Sequence, residues 1–314
     1  VPPRSPLPDR ISVGGIAFAV AAYLLWGFLP ILFYSVRSAG AVEIVAWRIV
    51  LSLVFCALLI TAVRGWPRLV RILKDRATMV SLAIAAVLIL VNWTVYVFAS
   101  VSGHVVEASL GYFTNPIVTV LLGVIVLRER LRPLQWVAVG VSAVAVLVLA
   151  IGFGAFPFIA LTLAVSFGLY GLVKKRVGPR ADALSGLTIE TAVLTPPAVV
   201  ALVVVGVGPG LTIGAQSGVH LILMLCLGVG TAVPLILFAA AARRLPLTYL
   251  GLVQYIAPIM QLIIGVAILG EPMPAERWIG FGIVWLALAI LTVDMFIAPG
   301  RARRIAPSEA PGAP

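Results

Sequence analysis

The sequence predicts an all-α polytopic membrane protein with ten transmembrane helices, arranged as two inverted five-helix repeats. Three observations predict it. Continuous apolar runs of about 20 residues, the length that crosses a bilayer as a helix, follow one another along the chain. Short basic clusters separate these runs in a regular alternation. Finally, residues near the end of each half match at a constant offset of 142 positions.

The composition supports the class. Of the 314 residues 62% are hydrophobic and only 11% are charged, too little charge to cover a soluble core of this size. Continuous runs, rather than ten-residue alternations, favour helices over a barrel. The spans read as 13–34, 43–63, 77–100, 105–127, 134–151, 155–173, 185–205, 219–241, 247–269 and 276–298. Pro133, Pro157 and Pro274 mark helix starts, where a missing N–H costs nothing. Residues 1–12 are expected to form a cytoplasmic tail and 299–314 a disordered one, since both are rich in Pro and Arg without an apolar period. The first run is too long for the core of a cleaved leader and is read as helix 1. Cys56 and Cys226 each lie in an apolar run and imply no disulfide framework.

Charge placement sets the topology. Of the 22 Lys and Arg residues, all except Arg37, Arg48 and Arg277 fall on one side when ten spans are drawn. Basic loops stay in the cytoplasm, so both termini are expected there, in the plasma (inner) membrane. The net charge of +11 is therefore a topology signal, and no nucleic-acid partner is expected.

The repeat is carried by Pro116 and Pro258, Ile117 and Ile259, Gly123 and Gly265, Glu129 and Glu271, Trp136 and Trp278, and Gly140 and Gly282. Five helices per copy is an odd number, so the second copy enters the membrane inverted. Inverted repeats are the usual scaffold of secondary transporters, with the site near the midplane. A membrane scaffold or regulator that duplicated without transporting is the alternative. An intramembrane enzyme is disfavoured. There is no G-x-x-x-x-G-K-[ST], H-E-x-x-H or G-x-S-x-G, and the only histidines, His104 and His220, fall at the outer face. No metal or cofactor is expected.

The candidate cavity residues follow from polar stripes at membrane depth. Pro116 and Pro258 sit at mid-span, ~17 Å from either end, where proline frees a carbonyl and bends a helix. They are read as hinges, a static kink being the alternative. Ser109, Tyr112, Pro116, Thr119 and Gly123 share an arc of about 80°. Gly251, Gln254, Pro258, Gln261 and Gly265 repeat it. Small residues can serve packing alone, but Tyr112, Thr119, Gln254 and Gln261 are polar enough to face a cavity. Asn92, Tyr96, Ser100 and Gly103 form a third stripe, with Trp93 at its edge. Trp26 is either a cavity wall or an interfacial anchor, and Tyr170, near a cytoplasmic end, reads as an anchor. Arg48 and Glu190 are the clear intramembrane charges, at opposite depths by the inversion. They should not pair with each other; snorkelling or local pairing is expected instead, for example of Glu190 with the Lys174–Arg176 cluster. Glu107, with His104, sits at the outer mouth, a hydrated loop being the other reading.

At these residues the chain resembles the EamA-type drug/metabolite transporter superfamily, in its RarD branch. The resemblance rests on Tyr23-Leu24-Leu25-Trp26-Gly27, Asn92-Trp93, the run from Gly103-His104 through Glu107 and Tyr112-Phe113-Thr114-Asn115-Pro116, and Arg128-Glu129-Arg130-Leu131-Arg132-Pro133-Leu134-Gln135-Trp136. Gln254-Tyr255-Ile256-Ala257-Pro258 and Gly270-Glu271-Pro272 carry it in the second half. Ser100-Val101-Ser102 departs from the family, where an Asn commonly precedes the Gly-His pair. The resemblance covers about residues 13–298. It implies a central cavity, peripheral fifth and tenth helices, and export or exchange of small metabolites or drugs across the plasma membrane. The implied partners are a small-molecule substrate and membrane lipid.

Overall fold

The computed structural model describes residues 13–127, 131–153, 156–178, 180–242, 244–245 and 253–305. These residues are helical, with no strand among them. In chain order the helices are α1 (Val13–Ser35), α2 (Gly40–Ala62), α3 (Trp66–Leu73), α4 (Arg76–Val101), α5 (Val105–Leu127), α6 (Pro133–Phe153), α7 (Phe158–Val177), α8 (Ala183–Val207), α9 (Gly218–Ala242), α10 (Ile256–Ile263) and α11 (Ala275–Ile305). Among the described residues seven helices are long and apolar enough to cross a membrane, and three further apolar helices are shorter: Pro133–Leu149, Phe158–Lys174 and Ile256–Ile268.

Local chemistry explains the ends. Asp75 caps α4, accepting from Ala77 N at 3.1 Å and from the Thr78 hydroxyl at 2.6 Å. These hydrogen bonds, Thr78's first, hold its carboxyl below the usual range. Asp182 caps α8 through Ser185, and Ser217 caps α9 through His220 N. The stretch between α2 and α4, read as a basic loop, contains α3. Its Leu69 and Ile72 are buried in a cluster with Ile60, Leu82, Val177 and Ile189 while Arg68 and Arg71 are exposed, so one face of the helix packs on its neighbours and the other is charged. At the other end, Pro299-Gly300 does not stop α11, which continues past the expected limit at 298 to Ile305.

One span departs from its predicted form. Instead of one helix over 247–269, Val253 is helical, Gln254 and Tyr255 form a turn, α10 follows, and Ile264–Ile268 is a π-helix. Residues 247–252 of that span, Gly251 included, lie outside the described residues. Proline explains the break. Pro258 has no N–H for the Gln254 carbonyl, and Ala257 N takes that carbonyl at 3.3 Å instead. Pro258 thus sits in a first turn rather than at mid-helix. The π-turn ends with Leu269 N on Ile264 O and Glu271 N on Gly265 O, both at 2.9 Å.

The chain forms two compact units, and they are not the two sequence halves. One comprises Val1–Asn115 with Phe158–Pro272, the other Pro116–Pro157 with Met273–Pro314. Within the first, α1 packs on α9 and α10, α2 on α8, α9 and α4, and α4 on α7, α8 and α1. Glycines allow the closest approaches. A Cβ on Gly111 would lie 2.7 Å from the Ala160 carbonyl oxygen, and one on Gly228 would lie 2.6 Å from the Leu51 carbonyl carbon. Within the second unit α6 packs along α11. Asp294, a buried charge that the hydropathy reading passed over, pairs there with Arg132 at 2.7 Å.

Candidate functional site

A polar and aromatic cluster lies inside the first unit, built by α1, α2, α4, α5, α7 and α9. At its head is Arg48, 3% exposed. Its Nε donates to Thr231 Oγ1 at 2.7 Å. Its guanidinium lies over the Trp93 ring at 4.4 Å and near the Phe33 ring at 5.4 Å. Nη1 is buried with no hydrogen-bond partner, and no carboxylate pairs with Arg48 among the described residues.

Asn92 braces the neighbouring helices. Its Nδ2 donates to Leu163 O at 3.2 Å and Ser166 Oγ at 3.1 Å, and its Oδ1 accepts from the Tyr112 hydroxyl at 3.1 Å. It therefore ties α4 to α7 and aims Tyr112. From Phe33 an edge-to-face series of rings runs through Tyr96, Tyr112 and Phe167, with centroid spacings of 5.8, 5.4 and 6.1 Å. Tyr170 continues it at 6.0 Å. Such pairs are the favoured geometry for aromatic quadrupoles. The series links the buried cation to the buried anion, because Tyr170 donates to Glu190 Oε2 at 3.1 Å. Tyr170 is thus a second-carboxylate-oxygen donor rather than the interfacial anchor suggested by its position in the sequence.

Glu190 is fully buried and pairs with Lys174 at 2.7 Å, the local pairing anticipated above. Gly186 makes the room: a Cβ there would lie 2.7 Å from the Lys174 ammonium nitrogen.

Trp26 and Gln261 meet elsewhere in the unit. Pro30 in α1 leaves the Trp26 carbonyl without its helical donor. Gln261 Nε2 approaches that carbonyl at 3.5 Å. Trp26 stacks edge-on with Tyr23 and lies beside Phe238. Gln261 and Tyr96 are both buried, and the Gln261 side chain is a hydrogen-bonding neighbour of the Tyr96 hydroxyl. Gln254 is half-buried at the turn before α10, and Thr119 is exposed.

Three buried carboxylates serve backbone amides on distant segments. Glu107, read as a possible hydrated-loop residue, is 8% exposed and accepts from Ile159 N at 3.0 Å at the start of α7. Glu43 accepts from Thr212 N at 2.9 Å and from Ile213 N. Glu271 accepts from Val105 N at 2.6 Å and Val106 N at 2.8 Å, one per oxygen, at the start of α5. Glu271 stands out in the sequence as a repeat match of Glu129 and within Gly270-Glu271-Pro272, neither of which gives it a partner. A carboxylate just after a helix C-terminus opposes that helix's dipole, which was the available sign that it serves another element. Glu271→Gln replaces one accepting oxygen with a donor facing an N–H. We expect it to cost about 1–3 kcal/mol, seen as a lowered unfolding temperature in detergent. Exposed Glu276→Gln should leave that temperature unchanged.

Comparison with known proteins places this architecture. The model of the EamA-like transporter family matches twice, over residues 13–151 and 156–293. This chain belongs to that family. Protein RarD of Streptomyces exfoliatus is 45% identical over 297 residues, covering 95% of this chain and 94% of that one. The uncharacterized transporter YojE of Bacillus subtilis (strain 168) is 41% identical, covering 88% and 93%. Protein RarD of Escherichia coli (strain K12) is 39% identical, covering 89% and 94%. These relatives put the EamA chain in the RarD branch and make it a multi-pass membrane protein of transporter type. A solved crystal structure shares the fold with a TM-score of 0.59 at 18% identity, covering 90% of this EamA chain and 99% of the other.

Proposed function

We propose that the chain is a secondary transporter, an exporter or exchanger of small metabolites or drugs across the plasma membrane, working by alternating access. The observation that carries this reading is the buried polar lining of the first unit. Arg48 Nη1 is buried without a partner beside aromatic walls, within electrostatic reach of Tyr96, which is buried against Gln261. Buried polar groups are paired unless something else is to meet them.

The inverted repeat is supported by packing and by caps. At the 142-residue offset α1 corresponds to α7, α2 to α8 and α4 to α9. The pairs α1–α9 and α4–α7 then exchange, α2–α8 maps onto itself, and so does α6–α11. Asp75 and Ser217, which cap corresponding helices, are themselves 142 apart. Ten spans with cytoplasmic termini follow from the same symmetry and the charge alternation. That topology sets Glu43, Glu107 and Glu271 at the outer face, where their amide contacts would hold the outer side shut. The division between units at Asn115–Pro116 supports a hinge at Pro116. Pro258, inside the first unit, supports a hinge through its broken helix. Trp26, Asn92, Trp93, Tyr96, Tyr112, Thr119, Gln254 and Gln261 would line the path.

Counterflow in proteoliposomes tests the reading. Wild-type protein should accelerate uptake of a labelled metabolite only when unlabelled metabolite is loaded inside. Absence of counterflow across a broad metabolite panel would instead favour the regulator or scaffold.

A further inference from the structure

We infer that Arg48 and Tyr96 form the recognition site for a carboxylate, and that the favoured ligand is a small monocarboxylate with a planar apolar body. This deepens the transporter reading and rests on it for the route, though not for the binding itself.

A guanidinium stays protonated at any physiological pH. Buried as deeply as Arg48, it normally pairs with an acid. Here its contacts are a neutral hydroxyl on Thr231 and the faces of Trp93 and Phe33. Cation–π contact offsets part of the desolvation cost but leaves Nη1 without an acceptor. The nearest buried acid on the aromatic series, Glu190, has both oxygens engaged, one by Lys174 and one by Tyr170. The counter-charge must therefore come from outside the described cluster.

A second donor waits beside it. Tyr96 lies within electrostatic reach of Arg48, is 3% exposed, and has Gln261 as its side-chain neighbour; a hydroxyl that accepts from an amide N–H keeps its own proton to donate. One N–H and one O–H suit the two oxygens of a carboxylate. The charge count also selects. One fixed cation balances one negative charge, whereas a phosphate dianion would bring an excess charge into a low-dielectric site. A zwitterion would need a free acid for its ammonium, and the cluster presents none among the described residues. The rings of Trp93, Tyr96 and Tyr112 supply flat apolar walls for the rest of the ligand.

The test uses purified full-length protein in detergent and three probes of one shape: indole-3-acetate, its neutral amide indole-3-acetamide, and zwitterionic tryptophan. Calorimetric titration should show indole-3-acetate binding at least about tenfold tighter than either other probe, the scale of a hydrogen bond to a charged group. Arg48→Gln should remove that preference. Tyr96→Phe keeps the ring, guards against misfolding at Arg48, and should weaken indole-3-acetate roughly fivefold or more while leaving the amide unchanged. Equal binding of acid and amide by wild type, no binding of indole-3-acetate, preference for tryptophan, or an acid preference retained in folded Arg48→Gln or Tyr96→Phe would each overturn the inference. Counterflow in liposomes separates this from the transporter reading. Acid binding without counterflow removes transport and keeps the site. Counterflow of neutral compounds without acid preference does the reverse.

Discussion

Glu190→Leu is expected to destabilise the protein by about 3–5 kcal/mol, the cost of stranding one member of a buried ion pair. The carboxylate is fully buried and Lys174 is 27% exposed, so the ammonium retains some route to water and the lower end of that range applies. Two donors lose their acceptor at once, because Tyr170 and Lys174 take one oxygen each. Glu190→Gln keeps an acceptor for one of them and should cost less. The double variant Lys174→Met/Glu190→Leu removes both charges and fills the space with apolar atoms. It should recover most of the loss, as neutral replacements of buried pairs commonly do. Thermal unfolding in detergent gives the ranking. If Glu190→Leu proves no worse than the double variant, Lys174 reaches solvent freely and the pair is not a buried one.

The ion pair also shows what could be read before any coordinates. Hydropathy runs and basic clusters depend only on local composition, so the membrane class and the limits of α1, α2 and α4 were legible. The same holds for Glu190 with Lys174, since one charge needed a near partner and few basic residues were in reach. Two polar stripes, one with Asn92 and Tyr96 and one with Tyr112, were read toward a cavity, and Asn92 bonds Tyr112, a contact that periodicity did not foretell. Partners from distant chain were not legible. Thr231 on Arg48, Phe33 on Tyr96 and Glu271 on the start of α5 depend on which helices meet, and periodicity says only which face is polar. The break at Gln254–Tyr255 had a proline as its sign. Whether a proline kinks a helix or starts one depends on where its freed carbonyl finds a donor, which tertiary structure decides. The aliphatic Leu and Val that separate these stripes say nothing of which helices pair, and it was the family resemblance that set the fifth and tenth helices apart from the rest; α6 and α11 pack on each other within the second unit.

Gly228→Leu is expected to abolish the folded protein, and Gly228→Ala to weaken it measurably. At Gly228 an added Cβ meets the Leu51 carbonyl carbon at 2.6 Å and its oxygen at 2.7 Å. These are backbone atoms of α2, so no rotamer change relieves the contact and the helices must separate. Overpacking of this kind costs about 1–3 kcal/mol for small additions, against a gain of about 1 kcal/mol for alanine over glycine in a helix. Separation has a second consequence, because the contact and the Arg48 anchor share one seam. Leu51 lies one turn beyond Arg48 on α2, and Thr231 lies one turn beyond Gly228 on α9. Pushing the helices apart stretches the 2.7 Å bond from Arg48 Nε to Thr231 Oγ1 and frees the guanidinium to turn. Gly228→Ala should therefore lower both the unfolding temperature and the affinity for indole-3-acetate. Gly140→Ala and Gly282→Ala, where an added Cβ meets nothing within 4 Å, should be neutral or stabilising and leave binding untouched. A Gly228→Ala protein as stable as wild type would mean that α2 and α9 slide past each other readily, and the seam would then not be what holds Arg48 in place.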